Sequence, residues 1–209
     1  MSYICLIANH NGVALSGDSR LTMEPRFLHL HFDNTQKVYS DPAQRIAWGC
    51  CGLTLYLGVN YFKLTSRILR QSHRSLPSRL NQISDILSKV TQLQHLVTRK
   101  DSIFTLLLAC VTEEGVQVQR LEVVNGMASM KKFDSPVFLQ AGWQPALHQK
   151  APALHEFALE NLDQLTTRAR LRCVWAMKRD KQLSEENRKH TQTIGGNVRV
   201  VSLSTGDPS

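Results

Sequence analysis

The 209-residue chain has no stretch of eighteen apolar residues, which excludes a membrane-spanning helix. Aromatics are few (7%), and none interleave with the basic residues as a platform for stacked bases requires. The net charge of +8 is therefore read as solvated helix faces, and no nucleic-acid partner is expected. No Cys-x-x-Cys pair occurs. Cys5, Cys50, Cys51, Cys110 and Cys173 are odd in number and irregular in spacing, which speaks against a disulfide framework and for a reduced, cytoplasmic compartment. Near Met1 there is no basic segment ahead of a long apolar run, so no secretory signal is expected. His29 and His31 have no evident third ligand, so neither a metal nor a cofactor is expected. With no repeat and no low-complexity linker, residues 1–209 read as one domain.

What is present is an ordered succession of zones. Ile4 to Ala8 and Val13 to Ser16 alternate around Asn11-Gly12, a strong hairpin signal. Further strands are expected at Phe27 to Phe32, Lys37 to Tyr39 and Arg45 to Trp48. A helical zone follows, from Leu53 to His73 on the spacing of Leu57, Tyr61, Leu64 and Ile68, then from Ser75, with Pro77 in its first turn, to about Lys100. Strands return at Ile103 to Val111, Val116 to Val124, Met127 to Phe133 and Val137 to Ala141. Two more helices, Pro145 to Asn161 and Asp163 to Asp180, precede a closing strand at Asn197 to Leu203. Such an order suits two stacked sheets flanked by helix pairs.

Chemistry is carried by the start of the chain. A serine hydroxyl is a weak nucleophile until a base takes its proton. An α-amine has a reference pKa of about 7.7–8.0. A serine made N-terminal therefore carries its own base near neutrality, and removal of Met1 would make Ser2 such a residue.

The segment Ser2-Tyr3-Ile4 … Gly12-Val13-Ala14-Leu15-Ser16-Gly17-Asp18-Ser19-Arg20 resembles the opening of mature proteasome β-type and HslV-type subunits, with Ser2 in place of the usual Thr. The resemblance implies an α+β, four-layer αββα sandwich of the N-terminal-nucleophile (Ntn) hydrolase kind. It also implies a threonine-type peptidase with Ser2 as nucleophile. Lys37, in Gln36-Lys37-Val38-Tyr39, resembles the family's catalytic lysine, with the Met23 to Asn34 hairpin slightly longer than usual, and Asp18 would pair with it. A glycine of Gly49-Cys50-Cys51-Gly52 would donate its N–H to the oxyanion. Gly52 is preferred because a helix is expected immediately after it. Asp180, in Lys178-Arg179-Asp180, resembles the aspartate that orients the N-terminal amine, with Ser184 as companion. Gln140-Ala141-Gly142-Trp143 departs from the family's Gly-Ser-Gly. A peptide or unfolded-protein substrate, a homo-oligomeric ring and an ATP-dependent unfoldase are the partners the resemblance implies. A non-peptidase amide hydrolase, an inactive structural ring subunit and a basic binding module stay open as alternatives.

Overall fold

The computed structural model describes residues 2–23, 30–147, 151–187 and 192–206, and the statements below concern these. Two antiparallel sheets carry the architecture. The first has the order β12-β1-β2-β13, built from β1 (Tyr3–Asn9), β2 (Gly12–Asp18), β12 (Val137–Gly142) and β13 (Val198–Ser204). The second has the order β11-β10-β9-β6-β5, from β5 (Val38–Asp41), β6 (Ile46–Gly52), β9 (Ile103–Thr112), β10 (Gly115–Val124) and β11 (Met127–Asp134). Two small hairpins add β3 (Leu21–Met23) with β4 (Leu30–Phe32), and β7 (Leu55–Tyr56) with β8 (Val59–Asn60). Helices of more than one turn are α1 (Tyr61–Leu69), α2 (Leu76–Thr98) and α4 (Leu162–Glu186). The short α3 spans Gln144–Leu147.

Burial follows strand alternation. Ile4, Leu6, Val13 and Leu15 of the first sheet meet Val38, Ala47, Leu107 and Val118 of the second in a shared core. The opposite face of β1, through Tyr3, Cys5 and Ile7, packs on Leu165, Ala169 and Cys173 of α4. Trp48, Leu106 and Leu108 pack beneath Phe62, Ile68, Leu80 and Leu87 of α1 and α2.

Four complete layers are not what these residues form. The structure is mostly antiparallel sheet with three helices of more than one turn, and the αββα Ntn sandwich is corrected accordingly. Of the expected helix from Pro145 to Asn161, the described residues form only α3 and a 3-10 turn at Leu154–Glu156. Pro152 has no N–H to give to a helical ladder, which disfavours a helix continuing through it. The outer face of the first sheet is thus covered by α4, where a helix pair was expected. The helix expected from Leu53 also starts later. Leu57 (φ 50°) and Gly58 (φ 77°) both adopt the left-handed region, the signature of a two-residue turn, and they fold 55–60 into a hairpin. Asn60 then caps α1 by accepting from the Lys63 N–H at 3.0 Å. The helix from Ser75 begins as expected, with Ser75 as its cap and Pro77 in the first turn. At the other end α4 continues through Glu186, so much of the polar stretch after Asp180 is helical. Of the expected strand Phe27 to Phe32, residues 27–29, His29 among them, lie outside the described residues. So do Met1 and the whole segment between Met23 and Leu30.

Asn9 ends β1 fully buried. Its Nδ2 donates to the carbonyls of Phe157 (2.8 Å) and Glu160 (2.7 Å), and its Oδ1 accepts from the Asn11 N–H (2.8 Å). It fastens the first hairpin to the segment that leads into α4. Asn9→Ala should therefore cost about 2–4 kcal/mol, the scale of stranding more than one buried hydrogen-bonding group. Urea unfolding should show a lower midpoint at unchanged slope, and an unchanged midpoint would contradict this role.

Candidate active site

Ile4 pairs with Gly17 in the β1–β2 register, which brings the start of the chain beside Asp18. The Tyr3 N–H donates to Asp18 Oδ1 at 2.8 Å, and the same oxygen accepts from Lys37 Nζ at 2.8 Å. Two donors on one oxygen lie no farther apart than two such bonds laid end to end. The Lys37 ammonium therefore stands beside the backbone that leaves Ser2. Lys37 also donates to the Arg20 carbonyl at 2.5 Å, and Asp18 Oδ2 accepts from the N–H groups of Arg20 and Gly195, both at 3.2 Å. Neither charged side chain reaches solvent. A buried pair of this kind is tolerated only where further hydrogen bonds satisfy the remaining lone pairs, and here the backbone provides them.

Ser2 is itself buried, with 3% exposed. Its carbonyl accepts from the Trp143 N–H at 2.8 Å. Gly142 (φ +106°) passes so close that a Cβ there would stand 1.8 Å from the Ser2 carbonyl oxygen. Only glycine fits this position. Ser2 forms one wall of a cleft of about 260 Å³ that Cys51, Gly52, Thr105, Arg120 and Glu122 also line.

Gly52 closes β6 at φ +95°, and a Cβ on it would stand 2.1 Å from the Ile103 carbonyl oxygen. The helix expected directly after it is absent. The β7–β8 hairpin intervenes and α1 starts at Tyr61, so no helix dipole acts at Gly52. Its orientation comes instead from the strand. The Cys50 N–H donates to the Lys37 carbonyl at 2.8 Å, and the N–H two residues on faces the same side. Gly49 lies between the sheets, where a Cβ would press on Ile4, Leu15 and Val38, and it does not line the cleft.

Two cysteines sit nearby. Cys50 packs toward α1 and α2. Cys51 lines the cleft, but burial pushes its thiol up to about 12, against the opposing pull of Thr105, Lys37 and Arg120. A thiol so shifted stays protonated near neutral pH and is a poor nucleophile.

Asp180, fully buried on α4, accepts through Oδ2 from the N–H groups of Thr193 (2.6 Å) and Ile194 (2.8 Å). The next residue, Gly195, donates to Asp18, and its carbonyl accepts from Ser19 (3.2 Å) and Arg20 (3.0 Å). Asp180 thus reaches Asp18 through the backbone of 193–195. Ser184, one turn farther along α4, is half-buried and does not line the cleft. Sequence reasoning missed Trp143, Gly142 as the neighbour of Ser2, and Gly195. The Gly195-Gly196 pair before the closing strand was the available signal for the last.

Removing one partner of the buried pair strands the other's charge. Asp18→Asn should cost about 3–5 kcal/mol, while Asp18→Asn with Lys37→Met should recover part of that loss. Chemical denaturation of both variants checks this, and a double variant no more stable than the single one would show that the charge is not what matters.

No family model matches the sequence, and no curated protein matches it. Solved structures do. One is described as Anbu (ancestral beta-subunit) from Yersinia bercovieri; the match covers 97% of this chain and 80% of that one, with a TM-score of 0.52 at 15% identity. A likeness at this identity concerns the fold alone. It corrects the resemblance drawn from residues 2 to 20, because Anbu is a family distinct from the proteasome β-type and HslV-type subunits. In fold the chain is similar to this ancestral beta-subunit over nearly its whole described length.

Proposed function

We propose that the chain is a peptide-bond hydrolase whose nucleophile is Ser2, freed by removal of Met1. The observation that carries this reading is Asp18 Oδ1, which joins the Lys37 ammonium to the N–H of Tyr3, the residue that follows Ser2 in the wall of the cleft. An ion pair buried beside the second residue of a chain has little value as a stabiliser, since apolar residues of similar volume serve as well or better. Its position one peptide group from Ser2, which lines a cleft, gives it a chemical use.

On this reading Ser2 Oγ attacks the scissile carbonyl carbon while the Ser2 amine takes the hydroxyl proton. The Gly52 N–H faces the oxyanion that forms, and Lys37 with Asp18 fixes the local field. Collapse of the tetrahedral adduct breaks the C–N bond, and the amine returns its proton to the leaving nitrogen. Water then attacks the ester, giving one proton to the same amine; as the bond between the acyl carbon and Ser2 Oγ breaks, the amine returns that proton to Oγ, and the released acid loses its remaining proton to solvent. The bonds that hold the Ser2 carbonyl and the Tyr3 N–H keep the hydroxyl and amine in place through both halves. Serine lacks the methyl that restricts χ1 in threonine, so Ser2→Thr should retain activity.

Intact mass should show a species lighter by one methionine. That species should hydrolyse fluorogenic peptides and react with epoxyketones at Ser2. Ser2→Ala should abolish both. Lys37→Met, in samples shown to be folded by circular dichroism, should lower kcat by at least about 10²-fold, the scale of losing a positioned charge or proton-transfer group. Peptide hydrolysis by Ser2→Ala at the parental rate would refute the assignment.

A further inference from the structure

The inner face of β10 changes character along its length. Val116 and Val118 are buried in the core between the sheets, and the next two positions on that face are Arg120 and Glu122. Their register neighbours on β9 are Leu107 and Thr105, so the ionic residues begin where the apolar interior ends. Arg120 Nη2 donates to Glu122 Oε1 at 2.9 Å, with the two side chains 28% and 35% exposed. A pair this open to water adds little to stability, and stability does not account for two charges on an inward-facing strand surface. Both residues line the cleft that Ser2 lines, and Ile103, Leu147 and Cys51 give that cleft apolar walls.

We propose that Arg120 and Glu122 determine specificity in the Ser2 cleft, together forming a subsite for uncharged substrate side chains. The inference rests on the reading of Ser2 as nucleophile, because an acyl group held on Ser2 Oγ must direct its side chain into the cleft that Ser2 lines. An acidic side chain there competes with Glu122 for the guanidinium and leaves one carboxylate uncompensated. A basic side chain competes with Arg120 for the carboxylate and leaves a cation uncompensated. An apolar or amide side chain disturbs neither charge and covers Ile103 and Leu147. The discrimination is thus built from a repulsive element, one for each sign of charge.

The test compares four fluorogenic peptides that differ only in the residue before the scissile bond: Leu, Gln, Glu and Lys. The Met1-free parent should favour Leu and Gln over Glu and Lys in kcat/KM. Glu122→Gln leaves Arg120 without its counter-charge and should raise the Glu/Leu ratio by about tenfold, on the order of one charge-pair contact, while lowering Lys/Leu. Arg120→Gln should do the reverse. These opposite shifts separate a specificity role from simple loss of structure, which would lower all four rates together. Unchanged ratios in both variants, with the parent active, would overturn this inference and leave the Ser2 reading intact. A parent that hydrolyses none of the four peptides would overturn the Ser2 reading and this inference with it.

Discussion

The Lys37 ammonium is shut away from water, and much of the local architecture exists in relation to that fact. Its charge is met by Asp18, and the carboxylate's other lone pairs are met by backbone N–H groups of Tyr3, Arg20 and Gly195. Those donors come from the start of β1, the residues after β2 and the segment before β13, while Lys37 precedes β5. Both ends of the chain and both sheets must therefore be in place before the pair is compensated. A half-assembled version would hold an unpaired ion in a low-dielectric interior, which is among the most unfavourable local states a fold can contain.

The same economy of donors fixes the residues around Ser2. One peptide group is held by its two ends: the Ser2 carbonyl by Trp143, the Tyr3 N–H by Asp18. Gly142 permits the approach because it has no side chain. Farther out, Asp180 gathers the N–H groups of Thr193 and Ile194, which sets Gly195 against Asp18. Two buried carboxylates therefore act in series, Asp180 ordering a backbone segment and Asp18 receiving it. The bonds of Asp180 described above go to the 193–194 backbone, and the next residue of that segment, Gly195, donates to Asp18.

The legible parts of the sequence were those with short-range signals. The Asn11-Gly12 hairpin declared itself, because strand alternation and turn chemistry act over a few residues, whereas Asp18 and Lys37 were singled out by the resemblance alone and are brought together in the structure. Where a local signal was outvoted by periodicity the reading failed. The apolar spacing through Leu57, Tyr61 and Leu64 pointed to a helix, but Leu57-Gly58 takes a left-handed turn and starts a hairpin. The helix expected after Pro145 took no account of Pro152 inside it. Those two errors carried the larger ones, the helix dipole at Gly52 and the complete outer layers. Arg120 and Glu122 were illegible for a different reason. In sequence they resemble a strand running out into solvent, and only the first sheet, with Ser2 at its edge, makes that end of β10 a wall.

The electrostatics of the cleft bear on which group in it can act. Cys51 stands in the same cleft as Ser2, with Lys37 near enough to draw its thiol toward ionisation, yet burial prevails and the thiol remains held at about 12. Asp18, paired with Lys37, acts on the same thiol in the opposite sense. A neutral ion pair supplies a fixed dipole and no net charge. On the proposed reading, then, Lys37 is not the source of the charge that changes during the reaction. That charge must arise on the Ser2 amine, which becomes ammonium as the oxyanion forms and returns to neutrality as the leaving group departs. On the same reading the buried pair presents the amine with a constant environment, and its further partners, the backbone groups of Tyr3, Arg20 and Gly195, do not titrate.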